Sequence, residues 1–160
     1  AAHALAEHNL ERVAIADFDV HQGNGTESLF EGDSRVLVCS AFQHPFYPFG
    51  PDDDAGNIVR VRFGEGAGAL ELREGLEASW FPALRAFAPQ LVLVSAGFDG
   101  HAEDGIAQVS WSEDDYGWVT GQLRSIADTA CDGRIVSVLE GGYALGALGR
   151  SVVSHVRALL

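Results

Sequence analysis

The chain has 160 residues, of which 47% are hydrophobic and 21% are charged, so it can bury a core and is not a disordered segment. Its formal net charge is −13 and every basic residue is an arginine, which argues against binding to nucleic-acid phosphates. No apolar run reaches the roughly 18 residues that a membrane-spanning helix needs, so no membrane partner is expected.

The length suits one domain over residues 1–160. The chain contains no Met, and its first residues resemble the last turns of a helix that runs into a strand. They carry no basic segment followed by an apolar one, so they do not predict a signal peptide. We therefore expect one domain that is incomplete at its N-terminus and belongs to a longer protein.

The two cysteines, Cys39 and Cys131, are far apart in the sequence, and neither has a CxxC partner. This pattern supports neither a disulfide framework nor a thiolate zinc site. It favours two small buried residues in a reducing compartment, which predicts a cytoplasmic protein.

Short β-branched segments predict five strands, at 13–17, 36–40, 58–63, 91–95 and 135–139. Four are almost continuously apolar, as in a parallel sheet that is covered on both faces, whereas 58–63 alternates and predicts an edge or half-exposed strand. Apolar residues spaced by three and four predict helices over 67–86, 113–130 and 145–160, and Ala41–Asn57 is predicted to be a structured loop. Alternating strands and helices predict a doubly wound α/β fold.

Three clusters of polar residues follow the first, fourth and fifth strands: Asp17, Asp19 and His21; Asp99 and His101; and Gly141, Gly142 and Tyr143. In an open parallel sheet, ligands bind beyond the carboxyl ends of the strands. The three clusters are therefore expected to converge on one pocket.

Asp19 and His21 are separated by one residue, so in extended backbone both side chains point to the same side. With Asp99 they offer two carboxylates and an imidazole, which suit a divalent metal such as zinc and leave a position open for water or substrate. Tyr143 could donate its phenol proton to a developing oxyanion. Singly, these motifs also fit a turn, a packed aromatic residue or a helix cap; their joint occurrence predicts a catalytic metal site.

The strings DFDVHQGNGT, SAGFDGHAED and LEGGY, in that order, resemble the histone deacetylase superfamily, and bacterial and class II-type members above all. The resemblance covers the whole chain as the C-terminal part of the catalytic domain. It implies an arginase-like, three-layer α/β/α sandwich with a mainly parallel sheet. It also implies hydrolysis of an acetyl-amide with release of acetate, on an acetyl-lysine protein or peptide or on an acetylated cationic small molecule such as an acetylpolyamine. It does not determine whether the protein forms an oligomer.

The resemblance assigns roles to individual residues. Asp19, His21 and Asp99 match zinc ligands, Tyr143 matches the tyrosine that polarises the acetyl carbonyl, and Asp17 matches an aspartate that orients a catalytic histidine. The candidate pocket residues are Tyr47, Ile106, Gly141, Gly142 and, at the rim, His101.

The resemblance also implies a structural potassium ion. Its ligands would be Asp17, the backbone carbonyls of Asp19, His21 and Ala41, and the hydroxyl of Ser40. A second such site would fall near Phe30, Asp33 and Val36.

Two departures from the family pattern bear on activity. Gln22 stands where most members have a second His, and we expect it to tune the site without loss of the metal. The tandem His pair that supplies the family's general base is absent, and none of the six His residues fills that role convincingly. These 160 residues alone are therefore expected to be inactive.

Two other interpretations stay open. The chain could be a catalytically inactive, metal-binding relative that acts as a binding or structural piece, which the missing base and Gln22 would allow. It could also be a ureohydrolase of related fold with two manganese ions. That class needs further carboxylate and His ligands, which the sequence does not offer at matching places, and it has no role for the GGY motif.

Overall fold

The computed structural model describes residues 1–50 and 56–160. Its five strands are β1 (Val13–Asp17), β2 (Val36–Gln43), β3 (Ile58–Phe63), β4 (Leu91–Ala96) and β5 (Ile135–Leu139). The helices are α1 (Ala2–Glu7), α2 (Asn24–Phe30), α3 (Ala69–Ala78), α4 (Trp80–Phe87), α5 (Glu113–Cys131) and α6 (Leu145–Leu159). The strands form one sheet in the order β3-β2-β1-β4-β5, and all neighbours are parallel.

Helices cover both faces of the sheet, which confirms the predicted α/β/α layering. Alternate residues of β1 point to opposite faces: Ala14 and Ala16 join the core beneath α3, α4 and α5, and Ile15 joins a smaller core with α1 and α2. Both cysteines are buried and free, as predicted. Among the described residues, no helix is both long enough and apolar enough to span a membrane.

The two edges of the sheet differ from each other. Strand β3 lies at one edge and is only partly buried, as its alternating sequence predicts. Strand β5 forms the other edge, and Val136, Val138 and Leu139 are 51%, 58% and 58% exposed. Within the described residues this strand is therefore not covered on both faces, because an apolar run shows what a strand can bury and not what lies over it.

The helix predicted over 67–86 is two helices. Helix α3 ends at Ala78, Ser79 leaves the helical conformation with φ −124° and ψ −63°, and α4 begins at Trp80. Pro82 explains the break, because it has no N–H to donate to the carbonyl of Ala78 and its ring would clash with that carbonyl. In the first turn of α4 the missing N–H costs nothing.

One helix was absent from the sequence-based prediction, and one strand is longer than predicted. The short helix α2 follows the DFDVHQG string, and β2 continues to Gln43, so the predicted loop Ala41–Asn57 begins later than expected. Part of that loop, residues 51–55, lies outside the described residues.

The order of the strands determines where the sheet can form a ligand-binding crevice. From β1 the chain proceeds to β2 and β3 on one side, and then returns to build β4 and β5 on the other. The order therefore reverses between β1 and β4, which is the point where open α/β sheets form a crevice at the carboxyl ends of their strands.

Candidate active site

The three predicted metal ligands meet at this crevice. Asp19 and His21 follow β1 and Asp99 follows β4, and each offers one ligand atom within 4.8 Å of the other two. The carboxylate of Asp19 lies 2.9 Å from His21 Nδ1 and also accepts a hydrogen bond from the backbone N–H of His21 at 2.9 Å. Asp99 accepts one from the N–H of Val20 at 3.0 Å. The turn after β1 thus fixes all three side chains.

One carboxylate oxygen in this group suits a cation. Asp99 is fully buried, and its Oδ2 has no hydrogen-bond donor among the described residues. It lies 3.2 Å from His21 Nδ1, without the geometry of a hydrogen bond. Burial, and then the neighbouring charge of Asp19, raise the pKa of Asp99. A buried carboxylate oxygen without a donor is costly unless a cation meets it, so these three residues fit a divalent metal.

A further buried carboxyl group, that of Asp17, lies beside the predicted metal ligands. Asp17 ends β1, and its pKa is raised to about 8 by burial and, to a smaller extent, by the carboxylates of Asp19, Glu140 and Asp99. The hydrogen bond that Asp17 accepts from the N–H of Asp19 acts in the opposite direction. Ser40 is its neighbour across the sheet, and the buried Ser40 hydroxyl has no partner among the described residues. The hydroxyl and the carboxylate together suit a monovalent cation.

Two glycines leave the space that the carboxylates occupy. A methyl group on Gly97 would overlap the side chain of Asp19, and one on Gly141 would overlap Oδ2 of Asp99 and lie 2.6 Å from Oδ2 of Asp19. Gly97 was not among the predicted site residues, although it belongs to the SAGFD string. Only glycine, which has no side chain, lets the backbone come this close to the predicted ligands without displacing them.

The loop after β5 brings Tyr143 to the metal ligands. The N–H of Gly141 donates to Asp19 Oδ2 at 2.9 Å, and its carbonyl accepts from the N–H of Phe98 at 2.8 Å. Gly142 has a φ of +139°, a conformation that L side chains rarely adopt. Tyr143 is 60% exposed. Desolvation, followed by the carboxylates of Asp99, Asp19 and Asp104, raises the pKa of its phenol, which therefore stays neutral and able to donate at pH 7.

A cavity of about 520 Å³ opens at this point, and its lining includes Asp17, Asp19, His21, Gln22, Gly141 and Tyr143. Of the other predicted pocket residues, Tyr47 is 66% exposed with its ring edge-on to His21 at 6.2 Å, and Ile106 is 43% exposed. Phe46, which was not among the predicted pocket residues, stacks on His21 with ring centroids 5.4 Å apart.

His101 does not line the cavity. It is 3% exposed; its Nε2 lies 2.9 Å from Glu113, and its Nδ1 accepts a hydrogen bond from the N–H of Glu103 at 3.0 Å. Both ring nitrogens are therefore engaged within the fold, which corrects the expected place of His101 at the rim.

Gln22 belongs to a buried polar network. Its amide donates to Glu27 at 2.8 Å, and Glu27 also accepts from the guanidinium of Arg60 at 3.1 and 3.0 Å. The side chains of Arg60 and Glu27 are only 3% and 2% exposed. The residue after the ligand His21 is thereby tied to α2 and to the edge strand β3.

We expect Glu27→Gln to lower the free energy of unfolding by about 1.5–3 kcal/mol, because hydrogen bonds to a charged group are lost in a buried site. Urea unfolding of the complete protein measures this. Glu31→Gln is the control, since Glu31 is an exposed glutamate at the end of the same helix. Equal stability of the two variants would contradict the structural role of the network.

The second potassium site that the resemblance implies does not fit this chain. The carbonyls of Phe30, Asp33 and Val36 do converge, but they accept hydrogen bonds from the side-chain amide of Asn57 at 2.7, 3.2 and 2.9 Å. The oxygen of that amide accepts from the N–H of Gly32 at 2.9 Å. Asn57 therefore occupies the position that a cation would need, and we place no ion there.

Comparison with known proteins agrees with this geometry. The family model for the histone deacetylase domain matches residues 1–159. Among curated proteins, the chain is 41% identical to the protein slr0245 of Synechocystis, covering 100% of this chain and 53% of the relative. It is 35% identical to a histone deacetylase-like amidohydrolase of Pseudomonas aeruginosa, covering 88% of this chain and 39% of that protein.

Among solved structures, the HD domain of HDA15 superposes with a TM-score of 0.88 at 30% identity, over 99% of this chain and 47% of that one. The chain spans about half the length, or less, of the curated relatives named above. The fold, the order of the motifs and the family match agree, and the chain belongs to the histone deacetylase family.

Proposed function

We propose that the complete protein hydrolyses an acetyl-amide with the help of zinc and releases acetate. The observation that carries this proposal is the donorless, buried oxygen of Asp99 beside Asp19 and His21. Asp19 and His21 line an open cavity together with Tyr143. Family membership supports a deacetylase or amidohydrolase, and the oxygen and nitrogen donors favour zinc among the metals that such enzymes use.

Asp19, His21 and Asp99 would hold the zinc ion. When bound there, zinc would polarise the acetyl carbonyl and lower the pKa of water. The chain's own contribution is to fix the three ligands through the turn after β1, and to leave the remaining side open to the cavity. A site with three protein ligands and an open position is the pattern of a catalytic metal, not of a structural one.

Tyr143 would act on the substrate directly. Its neutral phenol would donate a hydrogen bond to the acetyl oxygen as negative charge develops there, so its contribution would be larger in the transition state than in the ground state. Gly141 makes this placement feasible, because its backbone is hydrogen-bonded both to Asp19 and to Phe98.

A potassium ion is proposed next to Asp17. The partnerless hydroxyl of Ser40 and the crowded carboxylate of Asp17 support it, and the carbonyls of Asp19, His21 and Ala41 would complete its shell. Such an ion would keep Asp17 in its charged form and would thereby stabilise the turn that carries Asp19.

The general base is not assigned to a residue of this chain. His3 and His8 are exposed at α1, and His44 follows β2 with its ring edge-on to Phe42. His155 is buried between Thr120 and Ser137, and His101 is bound to Glu113. We therefore expect residues 1–160 alone to bind metal without turnover, and we propose the activity for the complete protein. The substrate would be an acetyl-lysine peptide or an acetylpolyamine, and both are cationic, so the charge of −13 does not separate them.

The test is acetate release by the complete, purified protein from an acetyl-lysine peptide and, separately, from an acetylpolyamine. We expect release from at least one, loss after chelation and recovery on adding zinc. Stoichiometric zinc without acetate from either substrate would instead support the inactive, metal-binding relative. Release of urea from guanidino compounds would support the ureohydrolase interpretation.

A further inference from the structure

Asp104 holds the loop that carries Tyr143. Its Oδ2 accepts hydrogen bonds from the backbone N–H of Tyr143 at 2.7 Å and from the N–H of Ala144 at 3.0 Å. Its Oδ1 accepts from the N–H of Ile106 at 3.2 Å, and its own N–H donates to the carbonyl of His101 at 2.8 Å. One carboxylate thus joins the loop after β4 to the loop after β5, across 39 residues of sequence.

The tyrosine loop has two anchors. Gly141 is fixed to Asp19 and Phe98 at the metal side, and Tyr143 and Ala144 are fixed to Asp104 at the other side. Between them, Gly142 has a φ of +139° and provides no side chain that could hold the loop. Without Asp104, the loop that carries the Tyr143 phenol would be anchored only at Gly141. The backbone of Gly142 could then rotate, because glycine has few conformational restrictions.

The carboxylate is also well suited to this position. Asp104 is 7% exposed, and it lies at the N-terminus of α6, where Ala144 is the cap residue and has no side chain able to accept a hydrogen bond. A negative charge is favourable at a helix N-terminus, and hydrogen bonds to an ionised acceptor are about twice as strong as neutral ones.

We propose that Asp104 is a positioning residue for Tyr143, which fixes the phenol over the metal ligands by holding the backbone of Tyr143 and Ala144. This inference rests on the proposed function for its effect on turnover, but not for its effect on the loop. A displacement of about 1 Å at a reacting group can cost about 10²-fold in rate, so the contribution is large enough to measure.

The first test is a double-mutant cycle in the complete protein. We expect Asp104→Ala to lower kcat by about 10–10²-fold with zinc content and KM nearly unchanged. In the Tyr143→Phe background, the same change should have little further effect, because Asp104 acts through the hydroxyl that is already gone. The control is Glu103→Gln, the adjacent and exposed carboxylate, which pairs with Arg150 at the surface.

If the losses multiply in the double variant, Asp104 does not act through Tyr143 and the proposal is wrong. If Tyr143→Phe is itself silent, the proposed function fails, which is a different result. If the alanine variant does not fold, Asp104→Asn replaces it, because asparagine keeps the size of the side chain and one acceptor oxygen. In the same cycle it should give a smaller loss of kcat.

The second test needs no activity. Hydrogen exchange at single amides should become faster at Tyr143 and Ala144 in Asp104→Ala, with exchange in β1 and β4 unchanged, because only the loop loses its acceptor. Unchanged exchange at those two amides would overturn the proposal even if turnover falls.

Discussion

Tyr143→Phe is expected to lower turnover by about 10²–10³-fold, which is the usual loss when one donor to a developing oxyanion is removed. The substitution keeps the ring and leaves the backbone bonds of Gly141, Tyr143 and Ala144 in place, so only the hydroxyl disappears. Bound zinc and the unfolding transition should stay the same. Steady-state kinetics on an acetyl-lysine peptide, together with metal analysis of the same sample, checks this.

Tyr116→Phe is the matched control. It also removes a phenol hydroxyl, but that hydroxyl is buried in the core and has no hydrogen-bond partner in the described part of the chain. We expect activity within about twofold of the parent, because no hydrogen bond is lost. Nearly equal activity of the Tyr143 variant and the parent protein would show that Tyr143 only packs against the site.

His21→Ala is expected to abolish bound metal and activity together. The imidazole is the single nitrogen donor among the three ligands, and its loss leaves Asp19 and Asp99 as two neighbouring carboxylates. A catalytic zinc site has three protein ligands, and two oxygen ligands are fewer than it needs. Zinc per chain, measured by mass spectrometry after gel filtration, should therefore fall from about one to near zero.

His3→Ala controls for the loss of an imidazole elsewhere, because His3 is exposed on α1. It should keep the zinc content of the parent. A His21→Ala protein that retains stoichiometric zinc would show that the ligand set is assigned wrongly.

The sequence predicted the parts of the site that depend on strand ends. Asp19, His21, Asp99 and Tyr143 could be grouped because parallel strands place their carboxyl ends at one edge. The break in the helix at Ser79 was not predicted, but it could have been, because Pro82 cannot continue a helix from α3.

Contacts across the fold could not be predicted in the same way. The hydrogen bonds that Tyr143 donates to Asp104 and Arg60 donates to Glu27 join residues 39 and 33 positions apart, and no local pattern marks such pairs. The side chain of Asn57 fills a place where the resemblance implies an ion, which only the packing reveals. The exposure of β5 likewise depends on what covers it and not on its own apolar sequence.

We expect one metal ion to bind between Asp19, His21 and Asp99, next to the cavity that Asp19, His21 and Tyr143 line. The most direct measurement is anomalous diffraction at the zinc edge from crystals of the complete protein. We expect a single peak in contact with those three side chains. No peak at that position, or a pair of peaks as in a dinuclear site, would contradict it.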